Sequence, residues 1–278
     1  MAKISVIGIV GGSYFMTVDH FHENGETLSA DSLFYEVGGK GMNQAVAAAR
    51  FGARVSFLAA VGDDSDGRAS LECCLENGIT PFLIKKNMPS PTAFILTDKS
   101  GENRVTVYRG VELSEDDVYA FEDEIASSDV VLLQNEVPEM VNKCAIVLAE
   151  KHGVRVILNP APARESTLSK KLFLATPNEQ ESRFLDFTLF ENTIVTLGKK
   201  GCLINGKTIV PATSDRPVDT TGAGDTFNGV LAACIAENMN LEDSSRYANA
   251  ASGISVTRAH VIDAIPTREE IERKLQHE

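Results

Sequence analysis

Positive charge is scarce in this chain. Lys and Arg number 26 against 39 Asp and Glu, a formal net charge of −13. Binding to nucleic acid needs a basic patch, so that class of partner is not expected. No apolar run reaches the length of a membrane-spanning helix. Met1-Ala2-Lys3-Ile4 leads straight into a strand-like run and shows no signal-peptide plan. The five cysteines, Cys73, Cys74, Cys144, Cys202 and Cys234, form no CxxC pair and no metal-ligand spacing. They are expected as reduced core residues of a cytoplasmic protein. Two common phosphate signatures are also missing: no GxxxxGK[ST] loop, and no GxGxxG after the first strand-like run. Repeats, low-complexity segments and long linkers are absent as well.

What remains is a chain of 278 residues, 43% hydrophobic, able to bury a sizeable core. Strand-like runs at Ile4–Val10, Val55–Val61, Asp129–Gln134, Val154–Leu158 and Thr193–Leu197 alternate with helix-like ones. The helical stretches are Asn43–Phe51, Ser65–Asn77, Pro138–His152, Gly224–Glu237, Leu241–Thr257 and Thr267–Leu275, with another opening at Ser114. Such alternation predicts an α/β fold with three layers, a mostly parallel sheet covered by helices on both faces. Asn205-Gly206 reads as a hairpin turn. Residues 13–37 differ: polar and aromatic residues mix, and Ser32–Val37 alternates weakly. Thr92–Leu96 and Arg104–Tyr108, joined by the turn Asp98-Lys99-Ser100-Gly101, read similarly. These half-exposed strands are expected to pair into a small separate sheet.

The chemistry is densest in Asp219-Thr220-Thr221-Gly222-Ala223-Gly224-Asp225-Thr226, which leads into the apolar helix at Val230. Gly222 and Gly224 let an anion approach the backbone, and free N–H groups at a helix start attract it. Asp225, in the first turn, is placed to take a proton from an attacking hydroxyl. Anion cradle plus adjacent base is a phosphoryl-transfer arrangement. Alone, the stretch also reads as a glycine-rich loop with an ordinary first-turn Asp. A second glycine cluster, Gly38-Gly39-Lys40-Gly41, precedes Asn43 and the alanine-rich helix, and offers close backbone approach plus two donors for sugar hydroxyls.

The first stretch resembles the catalytic signature of the ribokinase-like (PfkB) sugar kinases. Gly38-Gly39-Lys40-Gly41-Met42-Asn43-Gln44-Ala45 through Gly62-Asp63-Asp64-Ser65-Asp66-Gly67 resembles their second signature. The resemblance implies one domain over residues 1–278, with a lid sheet from about 13–37 and 92–108 closing over the sugar. It implies transfer of the γ-phosphate of ATP to a primary hydroxyl, with Asp225 as base and Gly222, Ala223 and Gly224 as cradle. Gly39, Lys40, Gly41, Asn43 and Glu136 would bind sugar, although Glu136 equally fits a surface glutamate at a strand end.

On the nucleotide side the resemblance implies Asn178, Thr196, Gly198, Gly201, Gly224 and Asn249, with Lys199 or Lys200 near phosphate. Asn249 equally fits a solvent-facing helical position. Asn178 and Glu181, in the Asn-x-x-Glu pattern, would hold Mg²⁺ through waters; the same spacing makes a capping box. Asp219, Thr221, Ser255, Arg258, His260 and Ala264 match a monovalent-cation site, for K⁺, mainly through backbone carbonyls. His260 stands where relatives usually carry glycine. The exposed lid strands would allow pairing into a homodimer.

Two departures stand out. Ribose-specific relatives carry Asn-x-Asp after the first strand; aligning on Gly12-Ser13 puts Phe15 and Thr17 there, and a two-residue slip makes Asp19 the candidate. Phe184–Asn192 is also too short for the helix relatives carry before the next strand. The rival readings are a nucleoside kinase of the same fold, a non-catalytic sugar-binding regulator and, last, a dinucleotide-binding protein.

Overall fold

The computed structural model describes residues 1–164, 171–213 and 216–277. In chain order the strands are β1 (Lys3–Ile7), β2 (Gly11–Thr17), β3 (Ser32–Gly38), β4 (Arg54–Gly62), β5 (Thr80–Lys86), β6 (Thr92–Thr97), β7 (Asn103–Tyr108), β8 (Val130–Gln134), β9 (Arg155–Asn159), β10 (Leu172–Ala175), β11 (Phe190–Thr196), β12 (Cys202–Ile204) and β13 (Thr208–Val210). The helices are α1 (Lys40–Phe51), α2 (Ser65–Glu76), α3 (Glu115–Tyr119), α4 (Glu122–Ala126), α5 (Glu139–Lys151), α6 (Ala223–Ala236), α7 (Leu241–Ser255) and α8 (Arg268–Leu275).

A nine-stranded sheet runs in the order β13-β12-β11-β10-β9-β8-β1-β4-β5. From β5 across to β11 its neighbours pair parallel; β12 and β13 turn antiparallel at one edge. Alternate side chains of one strand feed two cores. Ile4 and Val6 join the core under α1, α6 and α7, whereas Ile7 joins the core under α3, α4 and α5. That is the period-2 geometry of a strand buried on both faces. Ser5 sits in this setting because its hydroxyl finds Ser128 Oγ at 2.9 Å.

The second sheet has four strands in the order β3-β2-β6-β7. It stands apart from the main sheet, as the half-exposed pattern predicts. Gly11-Gly12 opens β2. The bareness of Gly11 is steric: a Cβ there would lie 1.8 Å from Pro91 O.

Two strands escaped the sequence pattern. Pro81 sits inside β5, but β5 is the sheet edge, where proline is tolerated. The other, β10, is four residues long and too short to show a period. The shortened segment before β11 holds only 3₁₀ turns at Glu181–Phe184 and Phe187–Leu189, as its length predicts. Ser114 caps α3 with a complete capping box. Asn205 and Gly206 take φ of 50° and 66° between β12 and β13, the hairpin expected. Among the described residues no helix is long and apolar enough to cross a membrane.

Candidate active site

The two glycine stretches meet in space. Helix α1 packs on α6, and Gly229 lets them approach so closely that a Cβ there would lie 2.4 Å from Gln44 O. This contact carries Asn43 and Gln44 to Asp225, which is 6% exposed. Asn43 Nδ2 donates to Asp225 Oδ2 and Gln44 Nε2 to Oδ1, each at 2.9 Å. Two neutral amide donors fix the carboxylate plane without neutralising its charge.

Behind them lies a buried polar network. Gln44 Nε2 also donates to Asn159 Oδ1 at 3.1 Å, and Gln134 Nε2 donates to Gln44 Oε1 at 2.7 Å. Asn159 Nδ2 donates to Thr176 O at 3.1 Å. The Thr176 hydroxyl meets Asn228 Oδ1, and Asn228 Nδ2 returns to Gly224 O at 2.7 Å. Gln134, Asn159 and Thr176 sit at or just past the carboxyl ends of β8, β9 and β10, where ligands bind in parallel sheets. Sequence reasoning gave no role to Gln44, Gln134, Thr176 and Asn228, and read residues 159–163 as a loop lining the site without a role for Asn159. For Gln134 and Asn159 the available signal was an amide at a strand end.

Lys40 and Glu136 complete the charged part. Lys40 N donates to Glu136 Oε2 at 3.0 Å. Asp225, then Glu136 and Glu181, hold the Lys40 ammonium above its usual range against the effect of burial. Burial pushes the Glu136 carboxyl up, opposed by Lys40. Gly39, with φ 99°, stands immediately before α1. Asn43, Lys40 and Glu136 thus lie within interaction range of Asp225, while Gly39 and Gly41 pack against Ile9.

Gly222 stands at the N-cap of α6 in the left-handed region, φ 73°, a conformation glycine adopts without strain. Beside it opens a cavity of about 370 Å³. Its walls include Thr196, Gly198, Gly201, Gly224 and Asn249, the positions expected on the nucleotide side. Asn249 is buried rather than solvent-facing, and its amide spans Val210 O at 3.0 Å and Pro211 O at 3.1 Å. It shapes the cavity wall.

Three expectations meet a different geometry. Asp19 does not reach the cluster. Strand β2 continues to Thr17, six residues or roughly 20 Å beyond Gly11, and Asp19 pairs there with Lys99 and His20, 60% exposed. The β2 residue near the second glycine cluster is Ser13, buried and turned onto Gly38. Asn178 and Glu181 form the reciprocal cap: Asn178 Oδ1 accepts from Glu181 N at 2.8 Å, and Glu181 Oε2 accepts from Asn178 N at 2.9 Å. In the third group, Ser255 Oγ donates to Ser252 O at 2.9 Å, Asp219 Oδ1 accepts from Thr221 N at 2.9 Å, and Arg258 Nη1 donates to Ala264 O at 3.4 Å. His260 stacks on Phe34, ring centroids 3.5 Å apart.

A family model described as pfkB family carbohydrate kinase matches residues 1–268. The chain belongs to that family. Ribokinases of Haemophilus influenzae and Bacillus subtilis are 35% and 36% identical, over 99% of this chain and 98% and 100% of theirs. Among solved structures, ribokinase from Thermotoga maritima superposes with a TM-score of 0.89 at 34% identity, covering 99% of this chain and 100% of that one. Arabidopsis thaliana ribokinase complexed with ribose and ATP gives 0.87 at 26%, covering 99% of both. This is therefore a ribokinase-like carbohydrate kinase, which transfers a phosphoryl group to a hydroxyl.

Proposed function

We propose that this carbohydrate kinase moves the γ-phosphate of ATP to a primary hydroxyl of a pentose or closely related sugar. One observation carries the reading. Asp225 is buried between two amide donors at the end of α6 whose first turn borders the 370 Å³ cavity. An alcohol lying over Gly39 and Asn43 would meet Asp225 Oδ, which takes the hydroxyl proton as the oxygen attacks phosphorus. Amides of Ala223 to Asp225 would stabilise charge on the moving phosphoryl group. The Lys40 ammonium offsets negative charge gathered by Asp225, Glu136 and the phosphates.

Mg²⁺, when bound, would screen the nucleotide phosphates. Among the described residues no group of three or more His, Cys, Asp or Glu could hold a metal. That fits an ion held mostly by phosphate and water, with Glu181 keeping its second carboxylate oxygen for it. The monovalent-cation set fits less well, because Ala264 O already accepts from Arg258 and His260 turns to the lid. No step is routed through K⁺. A homodimer through the lid draws support from Leu33, Tyr35, Phe94 and Tyr108, all exposed on one sheet face. A cytoplasmic location draws support from five buried free thiols.

A nucleoside acceptor is the second reading. Phe15 and Phe34 pair on the opposite lid face, the one that meets His260, and could wall a base. A coupled ATP-turnover screen over pentoses, hexoses, sugar phosphates and nucleosides tests both. Turnover confined to nucleosides would replace the first reading with the second, and none with any acceptor would leave the regulator.

A further inference from the structure

We propose that Glu36 is a positioning residue for phosphoryl transfer. By capping the amides of Val261 and Ile262, it holds residues 260–262 against Gly222 and so fixes the start of α6 relative to the strand leading to Gly38-Gly39. Glu36 Oε1 accepts from Val261 N at 3.0 Å, and Oε2 accepts from Ile262 N at 3.1 Å and Val261 N at 3.2 Å. Both carboxylate oxygens are thus committed to one loop, 225 residues away in sequence. That loop is pressed onto the phosphate cradle: a Cβ on Gly222 would lie 2.3 Å from Val261 Cγ1.

The geometry closes a ring. From Glu36, β3 runs two residues on to Gly38, then into α1. Asn43 of α1 holds Asp225 at 2.9 Å. Asp225 lies in the first turn after Gly222, and Gly222 meets Val261, which returns to Glu36. Acceptor side and phosphate side are therefore fixed by one strand. Neighbouring contacts brace the same point. Phe34 stacks on His260, which holds φ 69°, a conformation a side chain rarely adopts. Tyr35, on the opposite face of β3, donates to Asp66 Oδ1 at 3.0 Å. So the base of β3 is gripped from both faces, while Ser32 and Leu33 toward its outer end are exposed. Burial pushes the Glu36 carboxyl up more than the two amides and His260 bring it down. A half-buried carboxylate is thus kept where a neutral side chain would be easier to desolvate.

The kinetic arm of the test rests on the kinase reading; the exchange arm does not. Amide hydrogen exchange over 222–226 and 258–264 is compared for the full chain, Glu36→Ala and Glu36→Gln. Expected are faster exchange of both segments in Glu36→Ala, and substantial recovery in Glu36→Gln, whose amide oxygen still accepts. With saturating ATP and the best acceptor, kcat of Glu36→Ala should fall about tenfold to a hundredfold, with acceptor KM nearly unchanged. Glu36→Gln should recover most of that loss. Faster exchange confined to 258–264 would overturn the proposal, as would unchanged exchange in both segments. A lower melting temperature with kcat intact would also overturn it, leaving Glu36 a staple for stability alone. Absence of turnover in the unsubstituted chain would instead count against the kinase reading, and the exchange comparison would still decide the coupling.

Discussion

Asn43 and Asp225 stand 182 residues apart and share a buried hydrogen bond of 2.9 Å. The opposite edge of the same carboxylate is held by Gln44, so its orientation is set before any substrate arrives. Asn43 Oδ1 is buried and has no partner among the described residues.

That spare oxygen makes Asp225→Asn a clean test. The new amide would face two donors, but Asn43 can flip and present Oδ1 to it, while Gln44 keeps its bond. The variant should fold and bind ATP as before, with turnover down roughly two to four decades. Calorimetric ATP binding and a coupled assay check this. Near-normal turnover would remove Asp225 as the base.

Glu136 should show its cost in stability. Its carboxyl is raised by burial above its ordinary value of 4.5, so the folded state holds the proton more tightly than the unfolded chain. The group's favourable contribution is complete below 4.5 and is lost as pH rises through the folded value. Glu136→Gln should therefore melt higher than the parent at pH 7, with the gap closing in acid. Acceptor KM should rise. A lower melting temperature at pH 7 would show that pairing with Lys40 outweighs burial.

Gly224 and Gly229 separate activity from stability. A Cβ on Gly224 meets nothing within 4 Å, and that residue lines the cavity. Gly224→Ala should keep or gain stability, by up to about 1 kcal/mol, while weakening ATP binding. A Cβ on Gly229 would strike Gln44 O and lie 2.5 Å from Ala47 Cβ. Gly229→Ala should cost about 1–3 kcal/mol as α1 and α6 part, and should slow turnover by moving Gln44. Urea unfolding and ATP titration read the two effects; equal stability losses would contradict the packing argument.

The cysteines should be inert in the folded chain. All five are buried, and burial pushes Cys73 up to about 11 and Cys74 up to about 12. The thiolate is the reactive form, so alkylation at pH 8 should be slow until denaturant exposes all five. Rapid labelling of Cys73 or Cys74 in the native protein would contradict the burial.

Much of the site was readable because it is local in sequence. Gly222 to Asp225 and Gly38 to Asn43 each carry a loop and the start of a helix, so spacing offered a cradle and a base beside the plainer reading of glycine-rich turns, and the resemblance of the two signatures supplied the kinase roles. Asp19 was not readable. Its role depended on where β2 ends, and a strand of mixed polar and aromatic residues gives no register. Asn178 and Glu181 were legible only as a choice, since a capping box and a water-mediated metal pair share one spacing; their hydrogen bonds make the cap through Glu181 Oε2, which does not exclude the metal role.

By itself the sequence determined the alternation of strand and helix, the half-exposed second sheet, and the two glycine-rich turns. Each follows from periodicity or from backbone freedom within a few residues. Tertiary structure decided which amides hold Asp225, where Gln134, Asn159 and Asn228 converge, and that Glu36 reaches Val261. Most of those contacts join distant segments: 225 residues separate Glu36 from Val261, 182 separate Asn43 from Asp225, 115 separate Gln44 from Asn159 and 90 separate Gln44 from Gln134. No local pattern encodes them, because they exist only once parallel strands bring their carboxyl ends to one side of the sheet.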